Sequence, residues 1–237
     1  MRKVKMLGLA MMLSLATTAH AYEFEAEQKA AIEQIVSEYV SNHPEIIVKA
    51  MQKLEAQENQ RHKGEVRIVG ESLRSQDSIP SLGDSKRKHY IIDFYDYNCG
   101  YCKTMEPLLE KAYKELDCQI VYVDLPVITP QSQQIGVIAQ ALFNLNPQYF
   151  FKFHKIFMNR VGKETSLEFI QEQIKKIGAN WDEILEEMKT NRPQQQIADY
   201  VRTSQQLGVR GIPYLIINGQ ELRGAIQSYD DLKAMLK

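Results

Sequence analysis

His89-Tyr90-Ile91-Ile92-Asp93-Phe94-Tyr95-Asp96-Tyr97-Asn98-Cys99-Gly100-Tyr101-Cys102 reads as a buried strand, a short turn and two cysteines opening a helix. Tyr90 to Tyr95 is apolar and aromatic except for Asp93, as suits a strand covered on both faces. From Lys103 to Leu116 the pattern changes to helical spacing, with Met105, Leu108, Leu109, Ala112 and Tyr113 on one side. Cys99 therefore falls at or just before a helix N-terminus. The positive end of the helix dipole and its free N–H groups favour a thiolate there. Cys102, one turn on, is placed to attack a mixed disulfide formed at Cys99, the geometry of a reversible dithiol/disulfide couple.

Asp93 is the odd residue of the strand. It is either a strand-edge carboxylate facing solvent or a buried group under the helix start. Its neighbours Ile91, Ile92, Phe94 and Tyr95 favour burial. Burial would raise its pKa by desolvation and fit it to exchange a proton with Cys102. On this reading Asp93→Asn slows thiol exchange and leaves the fold intact.

The chain has 237 residues, 44% hydrophobic and 25% charged, enough for a substantial core. A formal net charge of −1 gives no reason to invoke nucleic acid or an anionic membrane surface. The first 21 residues read separately: basic Arg2, Lys3 and Lys5, an apolar run from Met6 to Ala16, then Ala19-His20-Ala21 as a cleavage site. This is the pattern of a secretory signal peptide cleaved after Ala21, with a retained anchor as the alternative. Losing three basic residues from 29 leaves 26 against 30 acidic ones, a net of −4.

Export changes the meaning of three cysteines. They are too few for a disulfide scaffold in a chain this long, and one close pair plus one leftover points to chemistry. No second cysteine pair or suitably spaced histidine pair accompanies Cys99 and Cys102, so a zinc site is not expected, and neither is a cofactor. Cys118 opens an apolar strand and reads as a buried inert thiol, with a regulatory or intermolecular thiol as the alternative.

Along the mature chain, residues 22–63 read as a helical oligomerisation segment. Ile32, Ile35, Val36, Tyr39 and Val40 form one stripe. Pro44 restarts the helix, and Ile46, Ile47, Ala50, Met51 and Leu54 form a second stripe. The stripes either pair with copies of themselves or fold back on the body. The polar stretch Gln57 to Lys63 favours self-association into a dimer or trimer. Residues 64–79 read as a linker in which Val66 to Leu73 fits helix or strand equally, and 75–84 reads as a loop. The main domain is then 80–237.

A second strand, Gln119 to Leu125, completes a strand–helix–strand unit with parallel strands. Residues 131–207 are helical in pattern, five helices in all. An aromatic stripe, Tyr149, Phe150, Phe153 and Phe157, is assigned to core packing. Thr165 and Glu168 are spaced as a capping box. Beyond Gly211-Ile212-Pro213 come a strand from Tyr214, an Asn218-Gly219 hairpin turn and a returning strand. Ser228 caps a last helix, with Leu232, Met235 and Leu236 inward.

These features together resemble the thioredoxin superfamily over about residues 80–237. They are Cys99-Gly100-Tyr101-Cys102 at a strand-to-helix junction, Asp93 six residues earlier, and Gly211-Ile212-Pro213 before a hairpin. The helical insert is similar to the DsbA-type branch. The N-terminal helices with Pro44 resemble the oligomerisation stalks of exported disulfide isomerases of the ScsC type and related outer-membrane-antigen-like proteins. The resemblance implies an α/β thioredoxin fold with a helical insertion. It implies Cys99 as attacking thiolate, Cys102 as resolving thiol and Asp93 as buried acid. Pro213 would be cis, with Ile212 facing the sulfurs, and Gly100, Tyr101, Ile212 and Pro213 would contact substrate. Gly100-Tyr101 resembles the dipeptide of the isomerase DsbC rather than the Pro-His of DsbA oxidases. Ile212 departs from the Thr or Val usual in these branches and matches thioredoxin itself.

The sequence thus leads to the expectation of a periplasmic thiol:disulfide oxidoreductase, an isomerase before an oxidase. Its implied partners are exported cysteine-containing proteins and a DsbD-like or DsbB-like membrane redox partner. A non-catalytic module using Cys99 and Cys102 as copper ligands, or an oligomeric chaperone, is the reading from another class.

Overall fold

The computed structural model describes residues 24–160 and 165–236. The expected signal peptide and its cleavage site lie outside the described residues. The chain divides into two units, residues 1–55 and 56–237.

In the first unit, α1 spans Ala26–Asn42 and α2 begins at Glu45, just after Pro44. A Glu25–Gln28 capping box closes the start of α1. The apolar stripes expected here are exposed. Ile35 and Met51 are each 66% accessible, and α1 has no buried residue.

α2 continues as one helix to Arg74. The polar stretch 57–63 is therefore helical, and the ambiguous stretch 64–73 is helix rather than strand. Its second half is tied to the main unit by Val66, Gly70 and Leu73, all buried. Within the span read as a linker, Val66, Leu73 and Ile79 belong to the core. A three- to four-residue spacing between Val66, Gly70 and Leu73 decides for helix, because it puts all three on one face.

The sheet is built from β1 (Ser81–Leu82), β2 (His89–Tyr95), β3 (Cys118–Asp124), β4 (Tyr214–Ile217) and β5 (Gln220–Arg223), in the order β1-β3-β2-β4-β5. β2 and β3 run parallel, as the strand–helix–strand reading required, and β4 pairs antiparallel with β2. β1 falls within 75–84, where the sequence pattern predicts a loop. It is two residues long, too short to show alternation, and pairs with the edge of β3. The Asn218-Gly219 turn has positive φ at both residues, +49° and +81°, as a tight hairpin requires.

α3 (Gly100–Glu115) connects β2 to β3. The insertion comprises α4 (Pro130–Leu145), α5 (Pro147–Met158), α6 (Leu167–Lys176), α7 (Trp181–Lys189) and α8 (Arg192–Gln206), and α9 (Tyr229–Met235) ends the chain. Alternation along β2 separates two apolar clusters. Ile91 and Tyr95 join Met105, Leu109 and Ala112 of α3 and the α5 aromatics Phe150, Phe153 and Phe157. Tyr90, Ile92 and Phe94 join Val66 and Leu73 of α2 and Ile197 and Tyr200 of α8. Helices cover both faces, the α/β architecture with a helical insertion.

Two local expectations change. The cap of α6 is Ser166, whose hydroxyl accepts from the Phe169 N–H at 3.2 Å, not Thr165. Thr165 is buried, while Ser166 stands where the N3 amide points at it. Met235 is 45% exposed, because on so short a helix Leu232 and Leu236 already fill the inward side.

Candidate active site

Tyr95 ends β2, and Asp96 begins the turn that delivers Cys99. The Asp96 carboxylate is fully buried and saturated with donors. Oδ1 accepts the Asn98 N–H at 2.7 Å, and Oδ2 accepts the Val127 and Ile128 N–H groups, each at 2.9 Å. Its backbone carbonyl accepts the Cys99 N–H at 2.9 Å. Asn98 Nδ2 donates to Thr129 Oγ1 at 3.1 Å and Ser132 Oγ at 2.9 Å. One aspartate and one asparagine thus fix the cysteine turn to the loop between β3 and α4. That loop presents exposed Val127 and Ile128 beside it, and Tyr101 is 69% exposed on the first turn of α3.

Cys99 is the N-cap of α3 and is disulfide-bonded to Cys102, with Cα atoms 5.2 Å apart. Its sulfur accepts the Cys102 N–H at 3.1 Å. Cys99 is 3% exposed and Cys102 0%, so Cys99 is the less buried of the two. Lys103 is drawn inward, its Nζ donating to the Arg160 carbonyl at 2.5 Å, and burial lowers its pKa.

Asp93 is wholly buried, as the apolar neighbours indicated, on the sheet face that carries Ile91, Tyr95 and the two cysteines. Neither carboxylate oxygen has a hydrogen-bond partner. Burial first, and the Glu106 charge second, hold its pKa well above the usual carboxylate range. No hydrogen bond joins it to either sulfur.

The Ile212–Pro213 peptide bond is cis, and Pro213 is buried at the start of β4. Ile212 is partly buried against the cluster that holds Cys99 and Cys102. Gly100 is exposed, with open space where a Cβ would stand. Gly100 and Tyr101 adjoin Cys99 in the chain, Ile212 packs on the cluster that contains both cysteines, and Asp93 is buried in β2. The third cysteine is remote in character. Cys118 is buried, and desolvation pushes its thiol up to about 12.

Sequence reasoning missed Asp96, Glu106 and His154. Glu106 is 4% exposed on the inward face of α3, and His154 is 3% exposed within the α5 aromatic stripe. The available signal was spacing: Glu106 stands three residues before Leu109, and His154 four after Phe150.

A disulfide at a helix N-cap, preceded by a central parallel strand, with a cis proline just before the strand that pairs with it, defines the thioredoxin-type thiol–disulfide exchange class. The family model described as thioredoxin matches residues 75–237, and the chain belongs to the thioredoxin family. A second model, the copper resistance protein ScsC N-terminal domain, matches residues 28–61. Among solved structures, a periplasmic thioredoxin-like protein from Salmonella enterica serovar Typhimurium is 27% identical, with a TM-score of 0.61 over 71% of this chain and 94% of that one. The thiol-disulfide exchange protein alpha-DsbA2 from Wolbachia pipientis is 23% identical, TM-score 0.68, over 76% and 96%. The catalytic domain of Proteus mirabilis ScsC is 22% identical, TM-score 0.63, over 73% and 96%. No curated protein sequence matches the chain. The Cys99–Cys102 pair fits the C-x-x-C redox motif, and the chain is a thiol–disulfide oxidoreductase in its fold and its cysteine pair.

Proposed function

We propose that this protein is an exported, periplasmic thiol–disulfide interchange enzyme that isomerises disulfides in exported proteins in preference to introducing them. The observation that carries the reading is the Cys99–Cys102 disulfide at the N-terminus of α3, with the buried Asp93 carboxyl on the same face of the sheet. Cys99, the less buried of the pair, attacks a client disulfide as a thiolate stabilised by the helix end. The client disulfide breaks, and a Cys99–client bond forms. A second client thiolate then attacks the mixed disulfide, forming a new client disulfide and releasing the Cys99 thiolate; where none is in reach, Asp93 takes the Cys102 proton and the Cys102 thiolate displaces the client in reduced form. Exposed Gly100 and Tyr101 and the edge formed by Ile212 and cis Pro213 meet the extended client chain.

Isomerisation gains from several sites around one client, because a misfolded protein must be attacked repeatedly. The exposed stripes of residues 24–55 and the ScsC-type match over 28–61 support self-association through this segment. A periplasmic location is supported by the Salmonella neighbour and by the basic-apolar-small pattern of residues 1–21. Clients are cysteine-containing exported proteins, and a membrane redox partner returns the pair to its working state.

Refolding of ribonuclease with scrambled disulfides tests this. The full chain is expected to restore ribonuclease activity, the Cys99→Ala variant to restore none, and a chain lacking residues 22–60 to lose most isomerisation while still reducing insulin. Insulin reduction without any ribonuclease recovery by the full chain would contradict the isomerase reading. Metal retained through purification with no turnover would favour the metal-binding reading.

A further inference from the structure

On the sheet face covered by α3, a chain of buried polar groups that the reaction above leaves unused continues from Asp93. Asp93 stands opposite Tyr122 in the parallel register of β2 and β3, so the two side chains share that face. The Tyr122 hydroxyl donates to Glu106 Oε1 at 3.0 Å. Glu106 Oε2 lies 3.4 Å from His154 Nε2, close enough for an ion pair but without hydrogen-bond alignment. His154 Nδ1 meets the Tyr97 hydroxyl at 3.1 Å, and the Tyr95 hydroxyl donates to Tyr97 at 3.1 Å. Burial pushes the hydroxyls of Tyr95, Tyr97 and Tyr122 far above the usual tyrosine range, so they remain protonated.

Glu106 and His154 also share a cavity of about 200 Å³. Its walls include both groups and buried Tyr122, together with Glu110 and the exposed Lys114 and Lys155. The cavity joins the buried chain to solvent and has room for water molecules, each needing roughly 30 Å³. Three groups without hydrogen-bond partners, Asp93, Glu106 Oε2 and His154 Nε2, lie along this side of α3.

We propose that Glu106 and His154 form the proton exit of the active site, passing the Cys102 proton from Asp93 to water in this cavity. The proposal rests on the reading of Asp93 as the acid of the resolving thiol. In that step Cys102 gives its proton to Asp93, and the Cys102 thiolate attacks Cys99 of the mixed disulfide. The Cys99–Cys102 bond forms, the Cys99–client bond breaks, and the client leaves as a thiolate carrying the two electrons the cysteine pair gave up. A buried Asp93 must then shed its proton before the next turnover. Tyr122, opposite Asp93 in the sheet, holds Glu106 through its hydroxyl, and His154 faces both Glu106 and the cavity. Reduction of the disulfide runs the same path inward.

The test is release of glutathione from a Cys99–glutathione mixed disulfide, followed by stopped flow across neutral to alkaline pH. His154→Ala is expected to slow release by about tenfold or more near neutral pH. The deficit should shrink as solution hydroxide takes over, and imidazole, which fits the emptied site, should restore the rate. Glu106→Gln should show the same loss without imidazole rescue. Unchanged release in His154→Ala, or a loss equal at every pH and untouched by imidazole, overturns the exit. Should His154→Ala not fold, His154→Phe keeps the stacking on Phe150 and must show the same pH-dependent loss. Asp93→Asn in the same assay keeps the two readings apart. If it slows release while His154→Ala does not, the acid stands and the exit falls. If neither slows release, the acid reading falls first and the exit with it.

Discussion

Asp93 and Asp96 are both fully buried, three residues apart, one in the strand and one in the turn that leads to the sulfurs. Asp96 accepts three backbone N–H groups and holds the cysteine turn against the β3–α4 loop. Asp93 accepts none, and burial pushes it toward its neutral form. A carboxylate saturated with donors sets geometry. A carboxyl with no donors is poised to gain and lose a proton. The site uses one of each: the turn region fixes where Cys99 stands, and the strand region supplies the proton chemistry behind Cys102.

The largest expected effect removes the sulfurs that both regions serve. Cys99→Ala should abolish insulin reduction, and Cys102→Ala should leave clients trapped as mixed disulfides on Cys99, visible on non-reducing gels. Asp96→Ala comes next, and it acts on stability. Three N–H groups in part-buried hydrogen bonds lose their acceptor, which should cost about 3 kcal/mol. For a chain of this size that lowers Tm by roughly 10 °C in a calorimetric scan.

Asp93→Asn should act the opposite way. The folded carboxyl titrates above its unfolded value, so the native state binds more protons between the two pKa values. Wild-type stability therefore falls as pH rises through that window, and above it the full cost of a buried charge remains. The asparagine variant escapes that cost. Its advantage should grow from acid to neutral pH, reaching a few degrees of Tm, while glutathione release slows by roughly ten- to a hundredfold. Equal effects of the two aspartate variants on stability would break the contrast. The smallest effect is at Cys118, whose thiol is pushed up to about 12: it should resist iodoacetamide in the native reduced protein under conditions that label Cys99.

Much of the site was legible because its signals are local. The β2 run, the cysteine spacing, Asp93 among apolar neighbours and the Asn218-Gly219 turn each declare themselves within a few residues. The rest depends on distant partners. Asp96 is recognisable only once Val127 and Ile128 are seen to give it their N–H groups. Glu106 and His154 come from helices separated by a strand and another helix, and each alone reads as one polar residue on an apolar face. β1 was invisible because two residues, Ser81 and Leu82, carry no period. The pattern of 64–73 fits helix or strand until Val66, Gly70 and Leu73 are seen on one buried face.

The most direct test of the contrast is infrared difference spectroscopy between the oxidised and reduced protein at neutral pH. If Asp93 holds and exchanges the proton, a protonated-carboxyl band changes on reduction, persists in a folded Asp96→Asn variant and disappears in Asp93→Asn. A spectrum with no protonated-carboxyl change, or one that Asp93→Asn leaves unaltered, would contradict the account.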